Sequence, residues 1–147
     1  MTHEESAREE DVRRALGMRR WAVVGASTDP ARPGNRILLF LRDRGYEVFP
    51  VNPAAREIGG IAAYPDLRSL PAPPEVVDLF RRSEQVLPHV QEAVAAGAKA
   101  VWMQIGVVNE EAARLAREAG LVVVMDRCPM QEIPRLGFVL PGSGERR

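Results

Sequence analysis

The sequence contains a single cysteine, Cys128, so no disulfide can form within the chain. It also lacks any apolar run close to the roughly 20 residues that a helix needs to span a bilayer. Residues 1–11 are polar and acidic, without the apolar centre of a signal peptide. From these absences we expect a cytoplasmic protein that does not bind membranes.

A net positive charge is also missing, because 20 basic residues are balanced by 20 acidic ones. Aromatic residues make up only 5% of the chain, so we expect no nucleic-acid binding. Lysine is nearly absent, since every basic residue except Lys99 is arginine. The near absence of lysine and the many prolines in the connecting segments form a thermophile-like composition, which says nothing about activity.

Apolar runs alternate with helical patterns along the rest of the chain. The runs predict five strands, at residues 20–24, 47–51, 76–80, 100–105 and 121–125. The helical patterns predict helices at 4–16 and 35–44, a third that Ser83 caps and a fourth that Asn109 caps. Pro88 lies inside the third, so that helix either begins with a separate turn or kinks there. A loop and one short helix are expected after Asp126.

The later strands are almost continuously apolar, which is typical of strands that are covered on both faces. Strands that alternate with helices predict an α/β fold: a Rossmann-like, doubly wound, five-stranded parallel sheet with an extra N-terminal helix at 1–17. We expect the strand order 3-2-1-4-5, which places a ligand crevice at the carboxyl ends of the first and fourth strands. One domain is expected, with a core at about 20–137 and a tail at 138–147.

The loop between the first strand and the following helix carries Gly25 and Gly34. Its glycine spacing is not that of the dinucleotide fingerprint, no acid ends the second strand, and the P-loop lysine is absent, so NAD is disfavoured. Loop amides at a helix N-terminus nevertheless suit a phosphate. Arginines on the same edge, such as Arg36 and Arg81, suit a polyphosphate. The alternatives are that Gly25 only makes a tight turn and that the arginines are ordinary surface cations.

Four motifs together resemble the CoA-binding domain that opens the α subunit of succinyl-CoA synthetase and the NDP-forming acyl-CoA synthetases. The motifs are Gly25-Ala26-Ser27-Thr28-Asp29-Pro30, Pro50-Val51-Asn52-Pro53, Tyr64-Pro65 with Leu70-Pro71, and Asp126-Arg127-Cys128-Pro129. The resemblance runs from about residue 20 to 137, and the length resembles that of the small single-domain CoA-binding proteins of bacteria and archaea.

The resemblance implies a set of ligand-binding residues. Those implied for the CoA phosphates are Gly25, Ser27, Thr28, Pro30, Asn35 and Arg36, and those beside the adenosine are Val51, Asn52, Pro53 and Arg56. Those along the rest of the ligand are Phe80, Arg81, Arg82, Gln104 and Gly106, and the set is completed by Ala26, Gly34 and Cys128. Where the synthetases often have lysine after the Asn-Pro pair, this chain has two alanines and then Arg56, so the cation on the adenosine side differs.

The resemblance implies binding of coenzyme A, or of an acyl-CoA, without synthetase chemistry. The sequence lacks the domain with the phosphoryl-carrying histidine and the grasp domain of the full synthetases, and neither His3 nor His89 follows a carrier motif. We therefore expect a carrier, sensor or regulatory subunit, with a possible protein partner or homodimer, and no catalytic or metal-binding residue.

Two alternatives stay open. The first is a CoA- or NAD(P)-dependent enzyme that uses Cys128 or a partner subunit, and the second is a protein-interaction module that retains only the fold. Cys128 follows the fifth strand on the expected ligand edge, directly after Arg127. It could form a mixed disulfide with the CoA thiol, act as a nucleophile, or be a buried structural cysteine.

Overall fold

The computed structural model describes residues 2–142, apart from the side chains of His3 and Ala7, so the end of the predicted tail and the side chain of His3 lie outside the described residues. The helices are α1 (His3–Leu16), α2 (Pro33–Asp43), α3 (Val86–Ala95), α4 (Glu110–Glu118) and α5 (Pro129–Leu136). The strands are β1 (Arg20–Val24), β2 (Glu47–Val51), β3 (Glu57–Ile58), β4 (Ile61–Ala62), β5 (Val76–Leu79), β6 (Ala100–Met103) and β7 (Val122–Val124). Across residues 2–142, no helix has the length and apolarity that crossing a membrane requires.

The main sheet is parallel and five-stranded, in the order β2-β1-β5-β6-β7, which confirms the predicted Rossmann-like α/β class. The predicted strand order, 3-2-1-4-5, was wrong. The third predicted strand is β5, and it pairs with β1 rather than lying beyond β2, so the order is 2-1-3-4-5. The topological switch therefore falls between β1 and β5, and so does the crevice.

The sequence carried a signal for the observed order. Pro50 lies within β2 and has no N–H to donate, so a strand that contains it suits a sheet edge better than an interior position. β2 is an edge strand of the five, and its outer side makes one isolated bridge, between Val51 and Tyr64. By contrast β5 is buried along its whole length, as an interior strand requires.

The sheet is covered on both faces. On one face α1, α2 and α5 pack over a cluster that contains Trp21 and Trp102, whose ring centroids lie 5.5 Å apart. On the other face α3 and α4 pack over a second apolar cluster. The N-terminal helix is tied to α5 by an ion pair between Glu9 and Arg135, whose Oε1 and Nη1 atoms are 2.9 Å apart.

One buried side chain in the sheet is charged in water. Asp78 lies in β5 between Val23 and Trp102 on the neighbouring strands, and neither of its carboxylate oxygens has a hydrogen-bond partner among the described residues. Burial raises the pKa of Asp78 well above its ordinary range, and the nearby amide of Leu79 offsets only part of that effect.

The predicted cap was right for α4 and wrong for α3, and of the two alternatives for Pro88 the separate turn before it is confirmed. Asn109 caps α4, because its side chain accepts a hydrogen bond from the amide of Ala112. Ser83 does not cap α3. It opens a separate 3-10 turn, and α3 begins after that turn, so Pro88 falls in the first turn of α3, where a missing N–H costs little. The Ser83 hydroxyl instead donates to Gly106 O and accepts from Val108 N, at 3.2 and 2.9 Å.

Candidate functional site

A crevice with two lobes opens where β1 and β5 end. Both lobes are lined by Gly25, Arg32, Phe80 and Arg81. The first, here called the loop lobe, has a volume of about 580 Å³ and is otherwise lined by Val24, Ala26, Ser27, Thr28, Val51, Asn52, Pro53, Pro65, Asp66, His89 and Glu92. The second, here called the cysteine lobe, has a volume of about 620 Å³ and is otherwise lined by Pro33, Gly34, Arg36, Ile37, Arg82, Gln104, Ile105, Val107, Cys128, Met130 and Gln131.

The two glycines of the β1–α2 loop permit close backbone contacts. Gly25 has a φ of +89°, and a Cβ atom there would lie 2.5 Å from the carbonyl oxygen of Phe80. A Cβ atom at Gly34 would lie 2.5 Å from the carbonyl oxygen of Gly25. The loop is therefore held between the end of β5 and the first turn of α2, which explains why its glycines do not follow the dinucleotide fingerprint.

Two asparagines hold the loop from outside it. Asn35 Nδ2 donates to Ser27 O at 2.9 Å, and Asn52 Nδ2 donates to Ala26 O at 3.0 Å. These side chains hydrogen-bond the carbonyls of the loop and leave its amides available to other acceptors. Those of Ser27 and Thr28 make no hydrogen bond within residues 2–142.

The first turn of α2 adds to this set of free donors. It begins at Pro33 without a side-chain cap, and the amide of Gly34 has no acceptor in the described part of the chain. Free amides at a helix N-terminus, together with the helix dipole, form a site suited to an anion.

Four exposed arginines surround these amides: Arg32, Arg36, Arg81 and Arg82. None of them pairs with a carboxylate among residues 2–142. A guanidinium that no protein carboxylate neutralises is free to bind a phosphate in bidentate fashion.

The loop lobe is also lined by a histidine and by carboxylates. His89 is half-buried there, and its burial lowers its pKa, as does the nearby positive charge of Arg81. Asp66 lies there too, and the hydrogen bonds that it accepts from Ser69 lower the pKa of its carboxyl group. The lining of the lobe thus combines two arginines, Arg32 and Arg81, with two carboxylates, Asp66 and Glu92.

The cysteine lobe is more apolar and contains one thiol. Cys128 is only 7% exposed and stands at the N-cap of α5. Gln104 is also 7% exposed, and its Oε1 atom has no hydrogen-bond donor among the described residues. The lobe also contains the exposed apolar side chains of Ile105 and Met130. No group of three or more metal-ligating side chains occurs within the described residues.

Most of the sequence-predicted site residues line one lobe or the other, and four do not. Asn35 is buried behind the loop, whereas Pro30 and Arg56 are exposed outside both lobes. Gly106 joins neighbouring segments, because its N–H donates to Asp126 Oδ1 at 2.7 Å and its carbonyl accepts from Ser83. Asn35 and Gly106 hold segments around the crevice through their hydrogen bonds, whereas Pro30 and Arg56 line neither lobe.

Several lining residues were not predicted: Arg32, Asp66, His89, Glu92, Ile105, Met130 and Gln131. The wrong strand order hid His89, because only a β5 strand adjacent to β1 brings the first half of α3 to the crevice. Arg32 could have been found from the sequence, because it comes directly before the Pro33-Gly34 pair that begins α2 and therefore lies at the N-terminus of that helix.

The sheet and this crevice define a Rossmann-like domain with an open crevice at its topological switch. The chain belongs to the CoA binding domain family, whose sequence profile matches residues 19–134. It is 40% identical over 110 residues to the uncharacterized protein YneT of Bacillus subtilis (strain 168), an alignment that covers 75% of this chain and 82% of YneT.

A solved structure and a larger enzyme are also similar. A hypothetical protein from Pyrococcus horikoshii OT3 is 41% identical, with a TM-score of 0.84 over 88% of this chain and 92% of that one. Acetate–CoA ligase [ADP-forming] I of Archaeoglobus fulgidus is 27% identical over 117 residues, which are 73% of this chain but only 17% of the ligase. The chain thus corresponds to a small part of that enzyme.

Proposed function

We propose that the protein binds coenzyme A in the two-lobed crevice, with the nucleotide end in the loop lobe and the pantetheine arm in the cysteine lobe. The observation that carries this proposal is a set of amides, at Ser27, Thr28 and Gly34, and four arginines that have no partner among the described residues. A ligand that satisfies both must carry several negative charges, as the phosphates of CoA do. Membership of the CoA binding domain family supports the same ligand.

The crevice suits a ligand whose charged part lies where the lobes meet, because Arg32 and Arg81 line both lobes, whereas Arg36 and Arg82 line the cysteine lobe beside its apolar side chains. Phe80 and Arg81 line both lobes, so a ligand can pass from one lobe into the other beside them. The cysteine lobe supplies apolar side chains, among them Ile105 and Met130, for a pantetheine arm.

The role that we propose is that of a CoA carrier, sensor or regulatory subunit, without synthetase chemistry of its own. His89 lines only the loop lobe and Cys128 only the cysteine lobe, so these two residues do not form a nucleophile–base pair in the described structure. A protein partner or a second copy of the chain would then respond to whether the crevice is loaded with CoA or acyl-CoA.

Isothermal titration of reduced protein with CoA tests the proposal, with NAD, NADP and ATP as comparisons. We expect CoA to bind more tightly than the other three. CoA at about 100 times its Kd should also stabilise the fold by about 2.7 kcal/mol, which a thermal shift detects. Failure of CoA to bind would overturn the proposal.

Two neutralising substitutions make the test specific. Arg81→Gln should raise the Kd for CoA by about tenfold or more, because a charge-assisted hydrogen bond contributes about 1.5–3 kcal/mol. Arg114→Gln is the matched control, since Arg114 is equally exposed but lies on α4 and lines neither lobe. An equal effect of the two substitutions would locate the binding site elsewhere.

A further inference from the structure

A carboxyl group lies near the end of β2, although no acid directly follows that strand in the sequence. Tyr64 forms a bridge with Val51, and its carbonyl accepts a hydrogen bond from Asn52 N at 2.9 Å. Asp66 comes two residues after Tyr64 and lines the loop lobe together with Val51 and Asn52. In dinucleotide-binding folds an acid in the corresponding place accepts a hydrogen bond from a ribose hydroxyl. The structure therefore supplies, from a later segment, the acid that the sequence lacks directly after β2.

The carboxylate of Asp66 keeps one oxygen for a ligand. Ser69 donates to it from its backbone N–H at 2.9 Å and from its hydroxyl at 2.7 Å, and both hydrogen bonds end at Oδ1. They fix the side chain, leave Oδ2 for another donor and lower the pKa of Asp66, so that the group is ionised near neutral pH. Asn52 is the other polar side chain near the end of β2, but its Nδ2 and its Oδ1 are already bound to backbone groups.

The charges of the loop lobe do not suit a phosphate on the ribose. Two carboxylates line this lobe, those of Asp66 and Glu92. Its two arginines, Arg32 and Arg81, also line the cysteine lobe, so they are placed for a diphosphate where the lobes meet. Arg56, the first basic residue after β2, is exposed outside both lobes. A ribose phosphate would therefore bring about two negative charges to a lobe whose carboxylates already equal its arginines in number.

From this arrangement we infer that Asp66 is a specificity-determining residue, which accepts a hydrogen bond from a ribose hydroxyl and selects a nucleotide whose ribose carries no phosphate. The inference rests on the CoA binding proposed above and narrows its ligand class. Dephospho-CoA, in which the 3′-hydroxyl of the ribose is free, binds more tightly than CoA, in which that hydroxyl carries a phosphate. The diphosphate and the pantetheine arm are the same in both, so the difference arises at the ribose. A hydroxyl donates to the ionised carboxylate, whereas a phosphate is repelled by it.

Isothermal titration of the wild-type protein with dephospho-CoA and with CoA tests this inference. At low salt we expect the Kd for dephospho-CoA to be lower than that for CoA by about fivefold or more, because like charges close together repel at a partly exposed site. In about 1 M salt, where the screening length falls to about 3 Å, the two Kd values should approach each other. This comparison uses only wild-type protein, so it stands whether or not a variant at Asp66 folds.

Asp66→Asn keeps an oxygen for the Ser69 donors and removes the charge, so it should bring the two Kd values to within about twofold of each other. Asp43→Asn is the matched control, because Asp43 is an exposed aspartate at the end of α2 that lines neither lobe, and it should keep the wild-type ratio. CoA binding at least as tightly as dephospho-CoA, or an equal change of the ratio in both variants, would overturn the role of Asp66 and leave the proposed function intact. Binding of neither ligand would overturn both.

Discussion

A Cβ atom at Gly34 would lie 2.5 Å from the carbonyl oxygen of Gly25, a distance that real Cβ atoms do not show. The atom that would be met belongs to the backbone, and it cannot rotate away as the end of a side chain can. The first turn of α2 therefore rests directly on the loop that follows β1. This contact places the free amide of Gly34 beside those of the loop.

The contact predicts that Gly34→Ala is harmful, although alanine normally stabilises a helix relative to glycine by about 1 kcal/mol. Because the added methyl group would push α2 off the loop, we expect a loss of about 1–3 kcal/mol in unfolding free energy and a raised Kd for CoA. Urea unfolding and isothermal titration measure the two effects. Gly17→Ala is the control, since Gly17 has a φ of −79° and a Cβ there would meet nothing closer than 3.5 Å.

A second prediction concerns Asn52, which holds the loop carbonyl of Ala26 through its Nδ2 donor. Asn52→Asp keeps the acceptor for the amides of Ala54 and Ala55 but turns an oxygen toward that carbonyl. We expect the loop to move and the Kd for CoA to rise by about tenfold or more, the cost of one lost hydrogen bond near charge.

Asn109→Asp is the matched control for Asn52→Asp. In the wild-type protein, Asn109 Oδ1 likewise accepts a hydrogen bond from a backbone amide, and Asn109 Nδ2 likewise donates to a carbonyl, that of Ser83 at 2.9 Å. Ser83 lines neither lobe, so the Kd for CoA should stay within about twofold of wild type. Equal weakening by both variants would mean that the Asn52 bond does not position the site.

Much of the fold could be predicted because strand and helix boundaries depend on local patterns. The second strand, at 47–51, and the cap at Asn109 were predicted as observed, since an apolar run between turn residues and a capping side chain are both local signals. Strand order depends instead on which apolar faces pair in three dimensions. The missing N–H of Pro50 indicated that the second strand lies at a sheet edge, but this single residue was a weak signal against the predicted order 3-2-1-4-5.

The candidate site was predictable where a motif carried it and not where topology did. The Gly25–Gly34 loop and Cys128 lie in recognisable motifs, and both line the crevice. His89 follows no motif, and it reaches the loop lobe only because β5 lies beside β1. No sequence pattern indicates that Asp78 is buried without a hydrogen-bond partner among the described residues, because nothing in a short apolar strand distinguishes a paired carboxyl group from an unpaired one.

His89 leads to a prediction about protons. Its pKa is lowered in the free protein by burial and by Arg81, so it is neutral near pH 7. A phosphate in the loop lobe would favour the charged imidazolium and raise that pKa, so CoA binding should take up protons and tighten as the pH falls below about 6.5. Titrations in buffers of different ionisation enthalpy measure the uptake.

His89→Gln separates this effect from the titration of the CoA phosphates themselves. The variant cannot bind the extra proton, so its proton uptake below about pH 6.5 should be smaller than that of wild type. Identical uptake in the two proteins would show that no ligand phosphate lies near His89.

Asp78 predicts how the stability of the protein depends on pH. Its folded-state pKa is raised by burial, whereas in the unfolded chain it has the ordinary value of about 3.9. Above that pH the unfolded chain loses a proton that the folded protein retains, so stability should fall as the pH rises toward the folded-state pKa, by up to about 1.4 kcal/mol per pH unit. Urea midpoints measured from pH 4 to pH 8 test this.

Asp78→Asn has the same shape and does not titrate, so it should be more stable than wild type at pH 8 and nearly equal to it at pH 4. Asp66→Asn should behave in the opposite way, because the hydrogen bonds from Ser69 lower the pKa of Asp66. That variant should lose stability at neutral pH, and the loss should shrink as the pH falls below about 3.9 toward the lowered folded-state pKa, at which the wild-type carboxylate takes up a proton. If Asp78→Asn kept the full pH slope of the wild type, the slope would belong to other groups, and Asp78 would be ionised in the folded protein.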